Sequence, residues 1–435
     1  MTSSVSPRSL RGVACLVAIA AGCGSRSALN LPDESAGGGG STTSTGSSTT
    51  TTPSTGDTCH GPVLFPAVVT VQEDENHEHM APLLAAVPGD EEQVLVAVRR
   101  SPVANPQTFI ELRHGAFQPW LDWPESGLIA APFEDGISGN LADRYFLAGS
   151  VDGFGSLLAR DPTTALLSSH VSPTASGLPV LGIPWLAPSF LASAPGSLLA
   201  VGVDTDSGQA ECVSFDLTQG AMDQAWQIGC ADSGTEVAAA GHGGSHLAVV
   251  ANGANNEPGT CSDSSDPGPP SRLDVVRLES GELAVPVASF EWGAAIHRVV
   301  AAPHPDGIWV AFQADGSNAV QALRVDAETG TVLGAFEVSP KATSYHGFAI
   351  TSLGRSLAVV FRVNEGPSGP TAELRVLDED GKTTVSLPVP GPASSFQPTS
   401  IVGSELHGSV VMAFDGAFPS RAHLLRADCL GAQAL

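Results

Sequence analysis

The chain has 435 residues, 42% of them hydrophobic and 15% charged, with 48 Gly and 33 Pro, a composition of many short elements joined by turns. Asp and Glu number 45 against 19 Lys and Arg, a formal net charge of −26, and no Lys/Arg-rich run occurs. Nucleic-acid grooves and charge-driven contact with anionic lipid need clustered positive charge, so both are excluded, and the acidic surplus reads as solubility.

At the N-terminus, Arg8 and Arg11 precede an apolar stretch of eleven residues (12–22, GVACLVAIAAG), too short to span a bilayer. It ends Ala20-Ala21-Gly22-Cys23. Small residues ahead of a cysteine resemble the bacterial lipobox, where cleavage leaves the cysteine as a lipidated first residue. The resemblance covers residues 1–23. It implies a signal peptide over 1–22, a lipid on Cys23, and an extracytoplasmic protein held on a bacterial membrane, at the outer membrane or cell surface. Residues 36–56 use only Ala, Gly, Ser, Thr and Pro. Such chain has too little apolar surface to offset the entropy of ordering, so 23–58 is expected to be a disordered tether. Its r.m.s. reach is roughly 30–36 Å. No later apolar run is long enough for a transmembrane helix.

Beyond residue 59 a short apolar run recurs: VLVAV (94–98), YFLAG (145–149), LLAVG (198–202), LAVVA (247–251), IWVAF (308–312), LAVVF (357–361) and VVMAF (410–414). Equivalent points at Ala97, Ala148, Ala200, Val250, Ala311, Val360 and Ala413 are 51, 52, 50, 61, 49 and 53 residues apart. The long interval holds an insertion, 252–270. A second run follows each first one, from IELRHG (110–115) to LLRADCLG (424–431), and most end in an acidic or Gly-containing turn. Weaker third and fourth runs, such as VLGAFEV (332–338) and FAITSL (348–353), complete four strands per unit. Helical periodicity is absent.

Seven units of four short strands resemble the seven-bladed β-propeller superfamily over residues 59–435. ALRVDAETGTVLGAF (322–336) is similar to the quinoprotein-like repeat without its docking Trp, and the Gly-His and Trp-Asp signature of WD40 repeats is missing. The resemblance implies the fold, all-β with antiparallel four-stranded blades, and no family activity. The last unit stops after its third strand. VLFPAVVTV (63–71) is therefore expected to supply that blade's outer strand and close the ring. Cys59 and Cys429 flank the two strands this would pair, which predicts a Cys59–Cys429 disulfide. Cys212 and Cys230 are equidistant from residue 221, which predicts a second disulfide across a hairpin. Cys261 is left over in the insertion.

Three histidines, His79, His297 and His346, fall at the starts of predicted innermost strands. Neutral imidazoles converging there could ligate a divalent metal, the one cofactor the sequence entertains, or serve as a general base. The competing reading is of unrelated polar residues at strand entrances. His242, His304 and His407 fall in turns on the opposite face and read as ordinary turn residues. No GxSxG elbow, phosphate-cradling Gly loop or complete calcium loop is present. The sequence thus favours a non-enzymatic binding or scaffold module for a protein or glycan. A metal-dependent carbohydrate lyase or hydrolase, and an assembly factor of an outer-membrane complex, are the alternatives.

Overall fold

A computed structural model describes residues 62–70, 77–87, 90–102, 109–117, 125–130, 145–149, 155–160, 167–171, 185–194, 197–204, 209–216, 221–230, 236–242, 245–253, 270–279, 284–315, 317–339, 347–363, 371–389, 397–415 and 422–430. The chain divides into two units, Met1–Thr52 and Pro53–Leu435, and all described residues lie in the second. The expected signal segment, Cys23, the tether, Cys59, Cys261 and His346 lie outside them.

Every described element of regular structure is a β-strand. β1 (Val63–Thr70) precedes a sheet of β2 (His77–Val87), β3 (Asp90–Pro102), β4 (Phe109–Ala116) and β5 (Glu125–Ala130). Next come β6 (Tyr145–Gly149), β7 (Gly155–Arg160) and β8 (Leu167–Val171), a three-stranded sheet. Four-stranded sheets follow: β9 (Trp185–Ala194) with β10 (Ser197–Asp204), β11 (Gln209–Asp216) and β12 (Ala221–Cys230); β13 (Val237–His242) with β14 (Ser245–Gly253), β15 (Pro270–Leu278) and β16 (Val285–Glu291). The third run at 332–338 supplies β20 (Val332–Glu337), which joins β17 (Ile296–His304), β18 (Gly307–Ala314) and β19 (Ser317–Asp326). FAITSL opens β21 (Phe348–Leu353), β22 (Ser356–Val363), β23 (Thr371–Leu377) and β24 (Thr383–Val389). The last sheet joins β25 (Gln397–Ser404), β26 (Ser409–Asp415) and β27 (Ala422–Asp428) to β1.

Neighbouring strands within each sheet are antiparallel. Innermost strands pack in succession, β9 on β13, β13 on β17, β17 on β21, β21 on β25 and β25 on β2, while β6 touches both β2 and β9. The succession therefore returns to its start. We call the end where innermost strands begin the entry face, and the opposite end the exit face. Second strands end and third strands begin on the entry face, among them Gly253 and Pro270, which flank the 254–269 insertion. The expected closure is present: β1 runs antiparallel to β27, with Val63 opposite Asp428 and Thr70 opposite His423.

The apolar runs are explained by where the core sits. Each buried cluster among the described residues lies between two adjacent sheets. In β18, Ile308, Val310, Phe312 and Ala314 pack towards the preceding sheet, while Trp309 and Ala311 pack towards the following one. Side chains alternate across a strand, so a strand with two buried faces must be apolar throughout. Outer strands have one wet face, and β20 accordingly alternates between half-buried and exposed residues. Sheets approach closely: a Cβ on Gly330, which has φ 69° in the β19–β20 turn, would lie 1.8 Å from the Val287 carbonyl oxygen of the preceding sheet.

A recurring polar contact ties sheet to sheet at the exit face. Arg277 on β15 donates to the Ala327 carbonyl at 2.6 Å, and Arg426 on β27 donates to the Phe117 carbonyl. Both acceptors directly follow the third strand of the next sheet. Trp226 on β12 reaches the matching carbonyl of Glu279 at 3.0 Å, and Arg324 on β19 reaches the Glu379 carboxylate at 3.0 Å.

The predicted Cys212–Cys230 bridge is corrected. Cys212 stands opposite Trp226 and Cys230 opposite Gln209. The ladder starts with Asp216 opposite Ala221, which centres the hairpin before residue 221, and two bulges make up only part of that offset. Cys212 is a buried free thiol. Cys429 directly follows β27, with φ 61°, beside the end of β27 that faces the start of β1.

Candidate functional site

Of the three histidines expected at the entry face, the structure describes the surroundings of one. His79 lies on β2, opposite Arg100, and its side chain is outside the described set, as is all of His346. His297 stands at the start of β17, where the pairing skips from Ile296 to Arg298 and leaves it at a bulge. Its Nε2 is 2.6 Å from Asp315 Oδ1, and the Asp315 amide donates to the Ala295 carbonyl at 2.7 Å. The carboxylate fixes the ring, and both side chains remain open to solvent.

Two further groups gather there. Arg298 donates from Nη2 to the Phe348 carbonyl at 3.1 Å, and its guanidinium lies 5.2 Å from the Phe348 ring centre. It thus bridges β17 to β21. Glu236, half-buried just before β13, accepts the Ala251 amide at its carbonyl oxygen at 3.0 Å. Burial pushes its side-chain carboxyl up to about 7, although Arg298 and His297 favour the ionised form. A carboxyl that shares its proton near neutral pH, beside an imidazole–carboxylate pair, has the groups for proton exchange with a bound molecule. Sequence reading found His297 and missed Glu236, Arg298 and Asp315. Glu236 and Asp315 look like ordinary strand-flanking acids, and 62 residues separate Glu236 from Arg298 in the chain.

The roots of the insertion on the same face are pinned by a buried polar network. Arg272 and Asp274 are 6% and 0% exposed. Arg272 donates from Nε and Nη2 to the two Asp274 oxygens at 2.9 Å each. Asn252 Nδ2 and Ser289 Oγ donate to the same carboxylate at 2.9 and 2.7 Å. Four donors on one carboxylate offset the cost of burying its charge.

The exit face holds a group with metal-ligand chemistry. His304, Asp306 and Glu379 offer ligand atoms within 4.8 Å of one another. The surrounding charges favour an ion-pair knot. Arg355 donates to Asp306 at 2.8 Å and to Glu379 at 3.1 Å, and Arg324 donates to Glu379. His304 Nδ1 accepts the Asp306 amide at 3.1 Å, so the neutral ring carries its proton on Nε2, where a metal would need a lone pair. Burial and Arg324 hold His304 below its ordinary range, which keeps it neutral. His304 and His407 sit at exit-face turns as the repeat predicts, and His242 ends β13 at the same face.

No protein-family profile matches the chain, and no curated protein matches it. Solved structures similar to it include propellers. The propeller domain of the trilobed protease from Pyrococcus furiosus is 11% identical, with a TM-score of 0.49 over 81% of this chain and 96% of that one. The RRP9 WD40 repeats are 10% identical, with a TM-score of 0.49 over 84% and 99%. The Dos1 propeller is 11% identical, with a TM-score of 0.42 over 83% and 95%. The β-propeller fold of this chain rests on its own sheet succession, described above.

Proposed function

We propose that residues 59–435 form a seven-bladed propeller acting as a non-enzymatic binding or scaffold module for a protein or glycan. In this reading a lipid on Cys23 and the 23–58 tether hold it outside a bacterial inner membrane, at the outer membrane or cell surface. One observation carries it: the 254–269 insertion opens on the entry face of a sheet succession sealed by β1, and buried side chains pin both its roots. A rigid frame that presents one long loop is suited to recognition. The test is to replace 254–269 with a short Gly-Ser link in the full-length protein and compare, in native membranes, what co-purifies with each form. Loss of a defined partner, with the thermal melt unchanged, supports the reading; identical co-purification removes it. Integral membrane partners would point to the assembly-factor alternative. Cys23→Ser should release the protein from membranes, and unchanged membrane association would remove the lipid anchor.

A lyase or hydrolase reading has the Glu236 and His297–Asp315 arrangement in its favour. It predicts about one equivalent of Zn, Mn or Ca bound to residues 57–435, lost on changing His79, His297 or His346. Metal-free protein would end the metal-dependent form of that reading.

A further inference from the structure

No further inference is drawn: the strongest candidate, the Glu236–His297–Arg298–Asp315 cluster at the entry face, belongs to the site already described, and what it adds beyond that description rests only on the raised pKa of Glu236.

Discussion

Arg426 on β27 donates through Nη1 to the backbone carbonyl of Phe117, 309 residues earlier in the chain. The same guanidinium pairs with Asp428 at 2.7 Å, and its side chain is 4% exposed. This contact joins the last sheet to the first, beside the seam where β1 closes the structure. Arg426→Ala leaves a buried carbonyl and a carboxylate without their donor, at about 2–4 kcal/mol. Arg426→Lys should not restore it, because one ammonium cannot serve two acceptors in a fixed fork. Urea unfolding measures both; a loss under about 0.5 kcal/mol for the Ala variant would put Arg426 among ordinary surface residues.

Two ion pairs separate buried from exposed electrostatics. Asp274→Ala removes the carboxylate that accepts from Arg272, Asn252 and Ser289 and should cost about 3–5 kcal/mol. Arg355→Ala removes contacts at a residue whose side chain is 52% exposed, and should leave the unfolding midpoint almost unchanged. Equal losses for the two, by the same unfolding assay, would mean the network around Asp274 is not sealed from water.

Glu236 makes stability depend on pH with a defined sign. Burial pushes its carboxyl from an ordinary 4.5 up to about 7 in the folded chain. Between those values the folded state binds the extra proton. The stabilisation is therefore full below about pH 4.5 and is lost as pH rises through 7. Glu236→Gln cannot lose that proton. It should match the parent at pH 5 and exceed it at pH 8 by about 1–2 kcal/mol. Urea midpoints at the two pH values decide this. An identical pH slope for parent and variant would show that Glu236 is ordinarily solvated.

Peptide mapping without reductant should recover Cys59 joined to Cys429. Such a bridge closes a very long loop, for which chain entropy gives about 4–5 kcal/mol before strain. Cys59→Ser should lower the unfolding midpoint accordingly. Two free thiols would leave the closure to β1 alone.

Cys212 should behave as a core residue. Burial pushes its thiol well above its ordinary value, so little thiolate forms at neutral pH. Iodoacetamide should label it in urea and not in buffer, and no Cys212–Cys230 peptide should appear. Rapid labelling of native protein would contradict the packing around β11.

The architecture was legible because each repeat writes its own boundaries. Runs such as IWVAF are apolar on both faces because two sheets cover them, and turns such as DAETG and DEDG close the hairpins through Asp326 and Asp378. The strand at 63–70 was recognisable from an unfilled place in the last unit. The Cys212–Cys230 pairing failed because it took residue 221 as the centre of the hairpin, whereas the ladder starts with Asp216 opposite Ala221, and no local pattern fixes that centre. The entry-face cluster was out of reach for another reason. Glu236, Arg298 and Phe348 each open a different sheet, and their meeting depends on how innermost strands pack side by side. No local pattern records that packing.

The placement of β1 also decides how the molecule bears load. The strand begins opposite Asp428, at the exit face, and the preceding chain enters there. A pull on that chain, resisted by a partner held at the entry face, runs lengthwise along β1. Its two runs of pairing to β27, either side of the break between Phe65 and Val69, are then loaded in shear and not peeled open from one end. A module held from its N-terminal side in this way resists being torn loose at the very seam where its ends meet.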